Sequence, residues 1–136
     1  MKSPERPQPL ILVADDDPAT LGALTTLLSA SGFACQGYNN SDSAASAAES
    51  LQPDLILSDV SLPHVGGVEM CRRIHQNPLL SAVPAMFLSS GQVPDIIHRS
   101  DGVHGSYFLR KPADPGVLVE LIGRALHQAW SSVTPA

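Results

Sequence analysis

Five short apolar runs, separated by segments of a different pattern, recur along the chain. The runs occupy residues 10–14, 33–38, 55–57, 85–88 and 107–109. Each is too short for a helix, and all but the weaker second run are uninterrupted, which is typical of strands buried on both faces of a parallel sheet. The pattern therefore predicts five β-strands.

The segments between these runs carry apolar residues three or four positions apart, which predicts helices. The first helix begins at Pro18 with Asp17 as its cap and is stopped by Gly32. The last helix is predicted to begin in the same way, with Asp114 as its cap and Pro115 at its first position. Proline suits the first position of a helix because its missing N–H would have no partner there, and an Asp side chain satisfies the neighbouring N–H groups.

Three further helices complete the alternation. The second lies between residues 40 and 53, and the third lies between residues 67 and 77. The fourth is short or distorted, because proline, serine and glycine leave only residues 95–99 as good helical sequence. Five strands alternating with five helices predict an α/β fold, in which one parallel sheet is covered on both faces.

The length and charge of the chain limit what this fold can do. With 136 residues it fits one domain, predicted at residues 10–130 between a flexible N-terminal arm (1–9) and a C-terminal tail or linker stub (131–136). The net charge of −5 and eight basic residues that never form a run argue against a nucleic-acid surface on this chain. No apolar segment is long enough to span a bilayer, so we expect no membrane contact and a cytoplasmic location.

Polar side chains follow four of the five predicted strands, at the point where each strand ends. Asp15 and Asp16 follow the first strand, and Asp59 follows the third. Ser89 follows the fourth strand and Lys111 follows the fifth. Ligands of open α/β sheets bind beyond the carboxyl ends of the strands, so this edge is the candidate site. A lone Asp at this position is more often a helix cap or a solvated loop acid than a site residue, and the other strand ends decide between these interpretations.

The clustered acids indicate a cation. Two carboxylates about 4 Å apart repel by roughly 4 kcal/mol at an effective dielectric constant near 20, so three of them need a neutralising charge. A set of oxygen ligands favours Mg²⁺ or a similar hard divalent ion, which binds phosphate as a further ligand. Ser89 and Lys111 would then supply a hydroxyl donor and a positive charge to a phosphoryl group.

In this order and spacing the residues resemble the receiver domain of bacterial response regulators, over about residues 10–126. The motifs that carry the resemblance are Asp15-Asp16, Asp59 with Pro63 and Gly67 behind it, Ser89, and Lys111-Pro112. The resemblance implies a flavodoxin-like three-layer α/β/α sandwich. Its five-stranded parallel sheet would have the order 2-1-3-4-5, with five helices.

The resemblance also implies a function. Asp59 would be the phosphoryl acceptor, attacking a phosphohistidine on a partner sensor histidine kinase or phosphotransfer protein. Lys111 would pair with the phosphoryl oxygens, with a cis bond to Pro112. The implied Mg²⁺ ligands are Asp15, Asp16, Asp59 and the backbone carbonyl of Ser61. The chain would catalyse only phosphoryl transfer to its own Asp59 and the hydrolysis of that acyl phosphate, so it would not be an enzyme with a turnover substrate.

Ser89 and Phe108 match the switch pair of the family, a hydroxyl and an aromatic residue. The implied output surface is the face formed by the fourth helix, the fifth strand and the fifth helix. It would contact a downstream target or output domain, or a second copy of the chain in a phosphorylation-dependent homodimer. The sequence departs from the family at Gly66, where Asp is common, so the loop after Asp59 is expected to lack a side-chain cap.

Two other functions fit parts of the pattern. An aspartyl-phosphate hydrolase of the haloacid dehalogenase type also uses a strand-end Asp with Mg²⁺, but it carries a second acid two residues later, where this chain has Ser61. A flavin-binding relative of flavodoxin needs a Ser/Thr-rich phosphate loop after the first strand. Asp15, Asp16 and Asp17 would repel a phosphate there.

Overall fold

Five parallel strands form one sheet in the order β2-β1-β3-β4-β5, as predicted. The structure is a computed structural model in which residues 8–90 and 106–133 are described. The strands are β1 (Leu10–Ala14), β2 (Ala34–Tyr38), β3 (Leu55–Asp59), β4 (Ala85–Ser89) and β5 (Ser106–Arg110). Asp59 and Ser89 are the last residues of their strands, so the ladder itself fixes the backbone of both.

Four α-helices lie in the described part of the chain. They are α1 (Pro18–Ala30), α2 (Ser41–Leu51), α3 (Gly67–His75) and the C-terminal helix (Pro115–Val133). The last helix continues beyond Trp130, past the point where the sequence pattern places the start of the tail. The predicted fourth helix, at residues 95–99, lies outside the described residues. None of the helices described is long and apolar enough to cross a membrane.

The helix starts follow the predicted caps. The Asp17 carboxylate accepts a hydrogen bond from the backbone N–H of Thr20 at 3.2 Å, and the Asp114 carboxylate accepts one from Val117 at 3.1 Å. The side-chain hydrogen bond from Thr20 lowers the pKa of Asp17, so this cap stays ionised. Helix α3 differs, because Gly66 is its N-cap and no side chain of the described residues caps it.

Each face of the sheet has its own core. On one face α2 and α3 pack against alternate strand residues such as Ile56 and Phe87. On the other face α1 and the C-terminal helix pack against Leu55 and Leu57. Because side chains alternate along a strand, Asp59 points to the same side as Leu55 and Leu57.

The amino ends of β1 and β3 are joined by a side chain that the sequence pattern did not single out. Asp54, just before β3, accepts a hydrogen bond from the backbone N–H of Leu10 at 2.8 Å through its buried carboxylate. Its own N–H donates to the carbonyl of Leu10 at 2.8 Å. These two bonds align the starts of β1 and β3, so that both strands end at the same level.

An unpredicted 3₁₀ helix (Pro78–Leu80) follows α3. The side chain of Asn77 caps it by accepting a hydrogen bond from the backbone N–H of Leu79 at 3.0 Å. The turn is only three residues long, so hydrophobic periodicity carries no signal for it.

Candidate acidic site at the carboxyl edge of the sheet

The register of the strands brings the predicted site residues to one edge. Ala14 of β1 pairs with Ser58 of β3, so Asp15 and Asp59 each come one position later on neighbouring strands. On the other side of β3, Asp59 pairs with Leu88 of β4. Ser89 pairs with Arg110 of β5, the residue before Lys111.

Three carboxylates cluster at this edge. Asp15, Asp16 and Asp59 each offer a carboxylate oxygen, and these oxygens all lie within 4.8 Å of one another. Asp15 is fully buried, Asp59 is largely buried and Asp16 is exposed. The cluster is therefore closed on the side of the sheet and open on the side of Asp16.

Lys111 lies against two of these acids. Its Nζ is 2.9 Å from Asp15 Oδ2 and 3.3 Å from Asp59 Oδ2. Partial burial lowers the pKa of Lys111, but the hydrogen bond to Asp15 and the charges of Asp59 and Asp15 outweigh that effect, so its pKa is raised overall. With the ammonium charged, three carboxylates and one cation leave two net negative charges at the site.

Backbone N–H groups hold the other oxygens of the two buried acids. The N–H of Asp17 donates to Asp15 Oδ1 at 2.9 Å. The N–H of Ser61 donates to Asp59 Oδ1 at 3.1 Å. Each of these carboxylates is thus fixed at both oxygens, by a backbone donor on one and by Lys111 on the other. The contact seen for Ser61 is made by its N–H, and the ligand role of its carbonyl stays a prediction.

The loop after Asp59 returns so closely that Gly67 has no room for a side chain. A Cβ added to Gly67 would lie 2.2 Å from the carbonyl oxygen of Asp59. The N–H of Gly67 also donates to the carbonyl of Val60 at 2.9 Å. Within this loop His64 adopts a left-handed backbone conformation, with φ of 68°.

Comparison with known proteins decides what this arrangement is. The sequence matches the response regulator receiver domain family over residues 11–123. The chain belongs to this family. The predicted family and its flavodoxin-like fold are thereby confirmed. The bond between Lys111 and Pro112 is cis, as the resemblance implies.

Three similar proteins illustrate the range of this receiver family. The DNA-binding dual master transcriptional regulator RpaA of Synechocystis is 35% identical over 107 residues, and these cover 78% of this chain but only 44% of RpaA. The signal receiver domain of a signal transduction histidine kinase from Syntrophus aciditrophicus is 28% identical, with a TM-score of 0.79 and 94% of both chains covered. The chemotaxis protein CheY4 of Vibrio cholerae shares the fold at a TM-score of 0.82 and 21% identity, over 87% of this chain and 98% of CheY4.

Family membership fixes the general function. The chain is a receiver domain of two-component signalling, and receiver domains in general bind Mg²⁺, accept phosphoryl groups from histidine kinases and act through output domains. The family is not in general an enzyme family, and nothing in the comparisons supports the hydrolase alternative. The clustered carboxylates of Asp15, Asp16 and Asp59 fit a divalent cation by ligand type and by net charge.

The receiver's predicted switch residues share one face of the sheet with Phe87. Ser89 is buried two residues after Phe87, and its carbonyl accepts a hydrogen bond from the N–H of Lys111 at 2.7 Å. Phe108 pairs directly with Phe87, and the two rings are stacked with their centroids 5.2 Å apart. The inward side of Phe108 is thus packed against a fully buried ring.

Sequence reasoning missed Ser58 and Phe87. Ser58 is a buried polar residue in an otherwise apolar strand, and its hydroxyl donates to the carbonyl of Asp59 at 2.8 Å. A hydroxyl at such a position needs a partner, so the sequence carried a signal for it. Phe87 carried none, because one more aromatic residue in a core strand is ordinary.

Proposed function

We propose that Asp59 is the phosphoryl acceptor of this receiver domain, with a sensor histidine kinase or a phosphotransfer protein as the donor. The observation that carries the proposal is the contact of Lys111 with Asp15 and Asp59 at the edge of the sheet. It puts a positive charge beside a carboxylate that is both oriented and reachable.

Exposure and orientation together distinguish Asp59 from its neighbours. The Asp15 side chain is fully buried, whereas 12% of the Asp59 side chain is exposed. Lys111 is also farther from Asp59 than from Asp15, at 3.3 Å against 2.9 Å, so the Asp59 oxygen is held less tightly. Asp16 is exposed and lies beyond the end of β1. Asp59 therefore combines access for a donor with a fixed orientation.

In the transfer, a carboxylate oxygen of Asp59 forms a bond to phosphorus while the bond from phosphorus to the donor's imidazole nitrogen breaks. The imidazole leaves with the electron pair of that bond and takes up a proton, and Asp59 becomes an acyl phosphate. Lys111 would exchange its contact with Asp59 for a contact with the phosphoryl oxygens. The chain contributes position and charge, and its own carboxyl group is the substrate.

The residues proposed to hold Mg²⁺ are Asp15, Asp16, Asp59 and the backbone carbonyl of Ser61. The bound ion would neutralise charge on the acids and on the phosphoryl oxygens. Asp15 is oriented for this role by the N–H of Asp17. Asp16 supplies a ligand on the open side of the cluster.

For the output of the signal we propose the pair Ser89 and Phe108, and the face formed by β5, the C-terminal helix and the fourth helix that the sequence predicts outside the described residues. This face would contact a downstream target or output domain, or a second copy of the chain after phosphorylation. We place the reaction in the cytoplasm, where a reducing environment suits the free thiols of Cys35 and Cys71.

Labelling with a small phosphodonor tests the acceptor. Acetyl phosphate with Mg²⁺ should add one phosphoryl group to the wild type, as measured by intact mass. Asp59→Asn keeps the shape but removes the nucleophilic charge, so it should abolish labelling. Asp42→Asn is the control, because it removes the charge of an exposed acid of α2 that is paired with Arg73 and is not a proposed site residue, and it should be labelled normally. Labelling of Asp59→Asn equal to that of the wild type would refute the proposal.

A further inference from the structure

Ser58 lies next to the proposed acceptor but faces away from the acid cluster. It is 1% exposed, on the face of β3 that packs against α2 and α3. Its hydroxyl donates a hydrogen bond of 2.8 Å to the carbonyl of Asp59. The side chain therefore acts on the backbone of Asp59 and has no direct contact with the reacting carboxylate.

The carbonyl of Asp59 is enclosed from a second side by the start of α3. A Cβ on Gly67 would lie 2.2 Å from this oxygen and 2.6 Å from Ser58 Oγ. The hydroxyl of Ser58, the carbonyl of Asp59 and the backbone of Gly67 are thus in mutual contact. A shift of any one of these groups would therefore change its contacts with the other two.

Backbone hydrogen bonds also fix the two residues that follow Asp59. The N–H of Val60 donates to the carbonyl of Leu88 at 2.9 Å, and the carbonyl of Val60 accepts from Gly67 at 2.9 Å. The N–H of Ser61 then donates back to Asp59 Oδ1 at 3.1 Å. The orientation of the Asp59 carboxylate and the position of Ser61 both depend on this short path. Ser58 is the residue that contributes a side-chain hydrogen bond to this path.

We infer that Ser58 is a positioning residue, whose hydroxyl fixes the peptide after Asp59 and thereby sets the geometry of the Asp59 carboxylate and of Ser61 for the cation. The inference rests on the proposed function in taking Asp59 and Ser61 as ligands. Groups that orient metal ligands through hydrogen bonds change metal affinity without touching the metal.

Ser58→Ala removes the donor with little change in volume. Its matched control is Ile56→Val, a small truncation on the same strand and the same face. Two properties are measured for wild type and both variants: hydrogen exchange of the Gly67 amide in the metal-free protein, and the Kd for Mg²⁺ by calorimetric titration. We expect Ser58→Ala to exchange the Gly67 amide roughly 2- to 10-fold faster and to bind Mg²⁺ about 10-fold more weakly, whereas Ile56→Val stays near wild type in both.

If Ser58→Ala matches Ile56→Val in both measurements, the inference is wrong. If Ser58→Ala does not fold, Ser58→Cys carries the same comparison, since a thiol fills the site but donates only weakly. The exchange measurement is made without metal, so it tests Ser58 separately from the proposed site. Failure of the site itself would show as wild-type Mg²⁺ affinity in Asp59→Asn.

Discussion

Asp16 is the exposed member of three clustered carboxylates. Its negative charge repels the charges of Asp15 and Asp59. Asp16→Asn removes one of these like charges, and we expect the metal-free protein to become more stable by about 1 kcal/mol, a value limited by solvent screening. The same change removes a proposed ligand, so the gain in Tm on adding Mg²⁺ should shrink. Thermal melts with and without Mg²⁺ measure both effects.

The control for this prediction is Asp42→Asn, which alters an exposed acid in the first turn of α2 that is paired with Arg73 of α3. It should leave the response to Mg²⁺ unchanged. A metal-free Asp16→Asn protein that melts below the wild type would contradict the prediction, because it would show that the native contacts of Asp16 outweigh the repulsion.

Cys71 illustrates burial acting on a single group. Desolvation raises its pKa to about 12, so at about pH 8 roughly one thiol in ten thousand is ionised. Alkylation requires the thiolate, and we expect native Cys71 to resist iodoacetamide while the half-buried Cys35 reacts. Peptide mapping after labelling with and without urea distinguishes them, since urea should expose Cys71. Rapid labelling of Cys71 in the native protein would contradict its burial.

Among single residues, the sequence predicts which residues form the site better than it predicts which of them are in contact. Asp15, Asp16, Asp59 and Lys111 were predicted from their positions after strands, and the structure brings them together. The contact of Lys111 with two acids at once depends on the register of four strands, β1, β3, β4 and β5, which no local pattern encodes. The close approach of Gly67 to Asp59 is likewise tertiary, because the loop returns across the end of β3.

At the scale of elements, the strands and the caps were predictable because each rests on local chemistry. Asp17 and Asp114 cap the helices that follow them, as their positions before proline indicate. The role of Asp54 was not predictable in this way. Next to Pro53, Asp54 indicates only the end of one element and the start of the next. Its partner Leu10 is 44 residues away in the sequence.

This long-range bond makes a prediction about the alignment of β1 and β3. Asp54→Ala leaves the buried N–H of Leu10 without this acceptor, and such a loss costs roughly 1–3 kcal/mol. We expect urea unfolding to give that decrease in the free energy of unfolding. Asp42→Ala, which removes an exposed acid, should change it by about 0.5 kcal/mol or less. A loss for Asp54→Ala no larger than for this control would mean that the buried bond contributes little net stability.

Across the whole molecule, the site lies where the two cores meet at one edge of the sheet. Asp59 belongs to the face of α1 and the C-terminal helix, whereas Ser89 and Phe108 belong to the face of α2 and α3. A side chain at the end of a strand can carry the effect of a phosphoryl group on Asp59 to the opposite face, and Ser89 is the buried hydroxyl at the end of β4. The stack of Phe108 on Phe87 lies directly behind it.

Our last prediction follows from this route across the sheet. A phosphoryl group adds charge and acceptor oxygens beyond β3, and a hydrogen bond from Ser89 worth about 1–3 kcal/mol would shift a two-state equilibrium by roughly 5- to 150-fold. We expect beryllofluoride, a mimic of the phosphoryl group, to increase hydrogen-exchange protection over residues 91–109 in the wild type. Ser89→Ala should still accept a phosphoryl group, more slowly, but should lose that gain.

The matched control is Ser90→Ala, because Ser90 is the exposed neighbour of Ser89 and loses the same hydroxyl. It should keep the full gain in protection. Equal gains in the wild type, Ser89→Ala and Ser90→Ala would exclude the coupling of Ser89 to Phe108. Loss of the gain in Ser89→Ala alone would instead tie the output face to one hydroxyl at the end of β4, since both variants retain Asp59, Lys111 and the acid cluster.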